Sequence, residues 1–275
     1  MRVAIQGEPG SFSHEAAVRM VPECIVVHCA FSAEVFGALA DGRVDAAVIP
    51  IENALAGSVL EHYDLLLQHE VLVEREYLLP IHHNLIVVPG TTIADIRSVY
   101  SHPIALAQCR RFFARHPQIT ARASYDTAGS VKQLMAQEDR TGAAIAGAGA
   151  ATHYGAEILE RNLEDSAQNY TRFFLVKRKA EAVLSPAADK VSVAFEVQNR
   201  PGSLVAALQS LAGLGVNLTK IESRPVPGSP WHYIFYTDYQ LSSPEMAEQA
   251  LALLAGHCSM VRELGRYVTA YPEAE

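Results

Sequence analysis

Asn169-Tyr170-Thr171-Arg172-Phe173 places an amide, a hydroxyl and a guanidinium side by side, directly before the apolar run Phe174-Leu175-Val176. A turn of this kind can deliver a hydrogen-bond donor, an orienting amide and a cation to the mouth of a buried strand, where α/β domains gather their binding sites. The chemistry within its reach is hydrogen bonding to, and charge pairing with, a small polar ligand. The same residues could also do no more than satisfy a turn, with Arg172 a surface charge. A second polar strand end supplies Glu52 and Asn53, after the apolar run Asp45 to Ile49 and Pro50-Ile51. Here too a plain reading exists, with Asn53 a cap and Glu52 solvated.

Positioning these groups requires strands that end together. Val3 to Gln6 reads as a strand. Gly7-Glu8-Pro9-Gly10-Ser11-Phe12-Ser13 then turns into a helix, His14 to Met20, that a serine can cap. The free amides of such a helix start suit a carboxylate or phosphate. Neither G-x-G-x-x-G nor a Walker A loop is present, so a nucleotide is not indicated. Ile25 to Cys29 is the next strand, Ser32 caps a helix through Leu39, and the strand 45–49 leads to a helix from Val59 to Gln68. Val71 to Leu79 connects to a second batch: strands His83 to Val88 and Val99 to Ser101, then Ser101-His102-Pro103 opening a helix that carries Gln108 and Cys109. Asp126-Thr127-Ala128 precedes a helix to Gln137. Ala143 to Ala146 is a strand before Gly147-Ala148-Gly149. Leu163 to Asn169 returns to the opening motif. The alternation predicts two α/β lobes with a cleft between them, closed by crossovers near 75–80 and 165–172.

Lys177 to Asp189 is small and polar and reads as a linker. From Lys190 the pattern changes. Strand 191–197, the turn Asn199-Arg200-Pro201-Gly202-Ser203, helix 204–212, strands 218–224 and 233–239, helix 244–254 and strand 261–267 give the βαββαβ order of a ferredoxin-like domain.

Composition narrows the function classes. A formal net charge of -8 with no dense basic patch argues against nucleic-acid binding. The longest apolar runs are strand-length, which argues against a membrane span, and the N-terminus lacks a signal-peptide layout, so a cytoplasmic location is expected. The four cysteines form no C-x-x-C pair, and His82-His83 lacks carboxylates at helical spacing. No metal site and no cofactor are expected.

Seven stretches in order resemble monofunctional prephenate dehydratase with a C-terminal ACT regulatory domain. They are Gly7 to Ser13, Pro50 to Val59, Ser101-His102-Pro103 with Gln108-Cys109, Asp126-Thr127-Ala128, Asn169 to Phe173, Arg200 to Leu204, and Asn217 to Pro225. The resemblance implies a two-lobed catalytic domain of periplasmic-binding-protein type over 1–178, a linker at 179–189 and the ACT domain over 190–270. The lobes would be approximately 1–77 with 165–178, and 78–164. It implies decarboxylating dehydration of prephenate to phenylpyruvate, without a cofactor. Catalytic roles would fall to Thr171, Glu52, Asn53, Ser101 and Gln108, and substrate contacts to Arg172, Thr127, Ser11 and Phe173. L-Phenylalanine would act as effector through Gly202, Ser203, Leu204, Val205, Asn217, Glu222, Ser223, Arg224 and Pro225. Ser203 stands where the family motif has alanine. A homodimer or homotetramer through ACT domains is implied. With no chorismate mutase segment before residue 1, a single activity is expected. Two rivals are an arogenate dehydratase, acting on the aminated substrate, and a binding protein that holds a small anion without turning it over.

Overall fold

The computed structural model describes residues 1–226, 228–229, 231–243 and 245–272. The first compact unit is built from Met1–Val59 and Tyr77–Phe173. Its first lobe begins β1(Arg2–Gln6), α1(Phe12–Met20), β2(Ile25–Cys29), α2(Ser32–Ala40) and β3(Ala46–Asn53), with β4(Gly57–Ser58) folded back on β3. β1 pairs in parallel with both β2 and β3, as βαβ crossovers require. The continuous apolar run Ala46-Ala47-Val48-Ile49 is fully buried, as expected of a parallel strand covered on both faces.

The chain then forms α3(Leu60–Gln68) and β5(Val71–Pro80) before the second lobe. That lobe contains β6(Asn84–Val87), β7(Ser98–Ser101), α4(Pro103–Ala107), α5(Arg110–Arg115), β8(Thr120–Ala123), α6(Thr127–Gln137), β9(Gly142–Ala146), α7(Ala148–Tyr154) and β10(Glu157–Glu160). Its sheet has the order β10-β6-β9-β7-β8. Strand alternation sorts its core into two layers. Leu85, Val87, Ala143 and Ile145 pack with Phe112 on one face, and Ile86, Val88, Ala144 and Ala146 pack with Val131 and Leu134 on the other. β11(Tyr170–Arg178) returns to the first lobe beside β3.

The loops of the two lobes meet tightly at Gly10. A Cβ on this residue would lie 2.7 Å from both Ala150 Cα and Gly149 O, and its φ is +77°. No side chain fits there, and the glycine brings the β1–α1 turn against the start of α7.

The second compact unit comprises Leu60–Glu76 and Phe174–Tyr271. Its later elements are β12(Lys190–Glu196), α8(Ser203–Gly213), β13(Asn217–Pro225), β14(Tyr233–Gln240), α9(Met246–Ala255) and β15(Met260–Tyr267). The sheet order β13-β14-β12-β15 is that of a ferredoxin-like βαββαβ unit. Val191, Val193 and Phe195 pack against Ala207 and Leu211 of α8 and Ala250 and Leu254 of α9.

Several local expectations shift. Ser11 is the serine that caps α1, its Oγ accepting from the His14 amide at 3.3 Å, so the helix starts at Phe12 and not at His14. Ser32 is the first residue of α2 and donates to Gln6 Oε1 at 3.0 Å instead of capping. Glu52 and Asn53 belong to β3, because the hairpin with β4 extends the ladder through Glu52↔Ser58 and Asn53↔Gly57. Gln108 and Cys109 do not ride on one helix: the chain breaks between α4 and α5 at these two residues. β11 runs through Arg178, so Lys177 is a strand residue, paired with Glu74 at 2.8 Å. Pro244, expected to open a helix, lies outside the described residues.

The compact units also divide the chain elsewhere than at residue 178. α3 and the first half of β5 group with the C-terminal elements. The reason lies in specific contacts: the Tyr63 ring sits 4.9 Å from that of Tyr236, Asp64 pairs with Arg224, and buried Glu76 takes Lys190 Nζ at 3.0 Å.

Candidate active site

A cavity of about 420 Å³ opens in the first unit, within the range that suits a small organic ligand. Phe12, Asn53, Val59 and Thr171 from the first lobe line it, with His83, His102, Ala105, Gln108, Asp126 and Thr127 from the second.

Its polar centre is a connected set of amides. Asn53 Oδ1 accepts from the Leu55 and Ala56 amides at 3.1 and 2.9 Å. Two backbone donors on that oxygen decide which end of the side chain is nitrogen. Nδ2 therefore faces the other way, donating to Asn169 Oδ1 at 2.8 Å, Tyr170 O at 3.2 Å and Thr171 Oγ1 at 3.0 Å. Because Thr171 Oγ1 accepts this bond, its own hydrogen is available to the cavity.

Gln108 ties in the second lobe. Its Oε1 accepts from Asn169 Nδ2 at 3.0 Å and from His83 Nε2 at 2.8 Å, and its Nε2 donates to Asn53 Oδ1 at 3.3 Å. His83 Nε2 thus carries the ring hydrogen. The donors run in one direction, from His83 to Gln108 to Asn53 to Thr171. Each bond polarises the next, which makes the threonine hydroxyl a better donor than an isolated one.

His83 is 2 % exposed, and burial holds its pKa below the ordinary 6.5. The folded pKa lies below the unfolded one, so between them the unfolded chain binds the extra proton. Stability contributed by neutral His83 is full above pH ~6.5 and is lost as pH falls below that. We expect the urea midpoint to drop between pH 7 and pH 5, and the drop to be shallower in His83→Gln. His14, whose pKa burial also lowers, keeps the remaining slope from reaching zero.

At the far wall, Asp126 caps α6, its Oδ1 accepting from the Gly129 amide at 2.7 Å. Burial raises its pKa, and neighbouring Glu8 adds to the rise. Glu8 itself spans the lobes to Lys132 Nζ at 2.9 Å. His102 caps α4, its Nδ1 accepting from the Ile104 amide at 3.3 Å, which leaves Nε2–H as a donor.

The structure thus brings together Thr171, Asn53, Gln108 and Thr127, and it places the other expected residues elsewhere. Ser101 is fully buried, and its hydroxyl donates to Ile145 O at 2.6 Å inside the second lobe. Glu52 and Arg172 each stand one residue from a cavity group, and strand alternation turns them to the opposite face, where their side chains meet at 3.9 Å. Phe173 is a core residue, 1 % exposed. Ser11 lines a separate groove with His14 and His153. The α6 start does not stand free for an anion, since Asp126 already occupies the Gly129 amide.

Asn169, His83, His102, Asp126 and Phe12 were not among the expected site residues. Asn169 supplies the amide of the opening turn, but the sequence assigns it no partner and no role in the site. His83 draws notice in the sequence only as half of a histidine pair for a metal. What identifies these residues is the cavity, which no spacing in the chain displays.

Among the expected effector residues, Gly202 caps α8 at φ +85°, Ser203 begins that helix, and Val205 is exposed on it. Leu204 is half-buried against the C-terminal core. Asn217, Glu222, Ser223 and Pro225 lie along β13, the edge strand, with alternating exposure. Arg224 differs from expectation: its guanidinium is engaged by Asp64 of α3.

Residues 3–181 match the family model described as "Prephenate dehydratase". The chain belongs to the prephenate dehydratase family. It is 37% identical over 277 residues to "Arogenate dehydratase/prephenate dehydratase 2, chloroplastic" of Arabidopsis thaliana, covering 97% of this chain and 72% of that protein. Two solved structures superpose with a TM-score of 0.89 each. One is the prephenate dehydratase of Arthrobacter aurescens in complex with L-Phe, 31% identical over 98% of this chain and 90% of that one. The other is described as GqqA, a novel type of quorum quenching acylase, 33% identical over 99% of both chains. Membership in the prephenate dehydratase family agrees with the two-lobed α/β unit. Among the described residues, no helix is long and apolar enough to cross a membrane.

Proposed function

We propose that the chain catalyses the decarboxylating dehydration that turns prephenate, or its aminated counterpart arogenate, into an aromatic product. The observation that carries this is the Thr171 hydroxyl, held by Asn53 at the end of the His83–Gln108 relay and facing the cavity. The reaction needs little from a protein. The ring carboxylate departs as CO2, its bonding electrons enter the ring, and the C4–O bond breaks as the ring becomes aromatic. The departing oxygen must be met by a hydrogen. A threonine is too weak an acid to give up its proton, so its hydroxyl hydrogen-bonds the departing oxygen as the bond breaks, with the amide relay supplying polarisation, and the hydroxide that leaves takes a proton from solvent to become water. Glu52 is turned away from the cavity and does not compete for this role. Asn53, Gln108 and Asn169 hold the hydroxyl in place, and Phe12, Val59 and Ala105 give the cavity an apolar wall against which a ring can rest.

For regulation, the complex of the Arthrobacter relative with L-Phe and the ferredoxin-like order of the C-terminal unit support an ACT domain that binds L-phenylalanine. The start of α8 and the edge strand β13 would form the effector surface, paired with a second copy.

The relative described as an acylase raises acyl transfer as a second reading. Thr171 speaks against it: its oxygen receives a hydrogen bond from Asn53, whereas a nucleophile needs a base to accept its proton. Purified protein offered prephenate, with phenylpyruvate followed in alkali, and arogenate, with phenylalanine followed by chromatography, tests the reading. Turnover of either supports it, L-phenylalanine should alter the rate, and turnover of neither refutes it.

A further inference from the structure

The helix α3 is tied at its start to the cavity and along its length to β13. Gly57, Ser58 and Val59 line the cavity, and Gly57 pairs with Asn53 in the β3–β4 hairpin. The Val59 amide donates to Ile51 O at 2.9 Å, and the next residue, Leu60, begins α3. With no loop between them, a turn or slide of α3 pulls on the hairpin that carries Asn53. Within the C-terminal unit, α3 lies against β13 and β14. Its Tyr63 ring packs on Tyr236, and Lys220 Nζ stands 5.7 Å from the centre of the same ring. Asp64 takes Arg224 through both carboxylate oxygens, Oδ1 accepting from Nε at 3.3 Å and Oδ2 from a terminal nitrogen. At the far end of the helix, Arg262 donates to the Leu67 and His69 carbonyls.

Strand alternation on β13 divides the expected effector residues. Ser223 and Pro225 are exposed, whereas Lys220, Glu222 and Arg224 are half-buried. Lys220 and Arg224 reach α3, which leaves Ser223 and Pro225 to meet a ligand. A ligand held by the residues on either side of Arg224 moves the backbone that aims its guanidinium. A bidentate pair tolerates little such movement, because both hydrogen bonds depend on one plane. An effector acts on a second site only through an element with two arrangements that it favours unequally. Resting on the dehydratase and L-phenylalanine readings above, we infer that the Asp64–Arg224 pair is the coupling contact between the effector surface and the cavity. L-Phenylalanine acts by changing how firmly β13 holds α3, and Arg224 serves α3 without touching the effector.

The test compares the full wild-type chain with Asp64→Asn, which removes the charge, and Arg224→Lys, which keeps the charge and loses the two-pronged geometry. Turnover of prephenate or arogenate is followed with and without saturating L-phenylalanine, and L-phenylalanine affinity is measured by calorimetry. The wild type should change its rate about fivefold or more on adding L-phenylalanine. Both variants should keep their basal turnover and bind L-phenylalanine within about threefold of wild type, while the rate change shrinks to less than about twofold. A full response in Asp64→Asn overturns the assignment. So does an affinity that falls together with the response in Arg224→Lys, since that makes Arg224 an effector contact. A wild type that turns over substrate and ignores L-phenylalanine overturns the assignment and the regulatory reading but leaves the dehydratase reading standing. A wild type inactive on both substrates overturns the dehydratase reading, and the assignment falls with it.

Discussion

Thr171→Ala is expected to lower kcat by about 10²–10³-fold, the usual cost of removing one donor aimed at a developing charge. The fold should be little affected, since Thr171 lines a cavity and its oxygen contributes one acceptor, to Asn53 Nδ2. Asn53 Nδ2 keeps Asn169 Oδ1 and Tyr170 O as partners in the variant. Thr171→Ser should retain a part of the activity, because serine supplies the same hydroxyl on a less restricted χ1. A split between kcat and KM reads the role: a group that works on the leaving oxygen changes kcat and leaves KM nearly where it was. Near-normal turnover in folded Thr171→Ala would remove the hydroxyl from the mechanism.

Asn53 offers a sharper experiment, because its two ends do different things. Asn53→Asp keeps an oxygen for the Leu55 and Ala56 amides, so the turn that positions it survives. Where Nδ2 stood, the variant puts a carboxylate oxygen against Asn169 Oδ1, Tyr170 O and Thr171 Oγ1, all acceptors. The Thr171 hydrogen is then drawn to the carboxylate and away from the cavity. Turnover should fall about as far as in Thr171→Ala. In the double variant the losses should not add, since both abolish the same donated hydrogen. Asn53→Ala differs in kind. It strands buried Asn169 and part of Gln108, at about 1–3 kcal/mol per unsatisfied group, and should shift the denaturation midpoint as well as the rate. Full additivity between positions 53 and 171 would mean that the relay is not a unit.

Much of this architecture is written locally. Apolar runs 46–49 and 143–146 mark buried strands, the caps and glycines punctuate them, and the change of pattern after Lys190 announces a βαββαβ unit. These features are legible because strand and helix period, capping and turn preference act over a few residues. Motif order carried the family resemblance for the same reason, and it led to Asn53, Gln108, Thr127 and Thr171.

What the chain could not display by itself is which of its polar residues share one space. Glu52 beside Asn53, and Arg172 beside Thr171, look equally suited to a site. A strand sends neighbours to opposite faces, so only the direction in which β3 and β11 lie decides that Asn53 and Thr171 face the cavity while Glu52 and Arg172 meet each other behind it. The resemblance implies a catalytic role for Ser101, yet the sheet places it where Ile145 O takes its hydrogen. Asn169 became a site residue only through partners remote in the chain, Asn53 and Gln108, while His83 and Asp126 are marked by the cavity they line and by no spacing in the sequence. Local physics determined the elements and their order; the register of the sheets and the meeting of the lobes determined the chemistry.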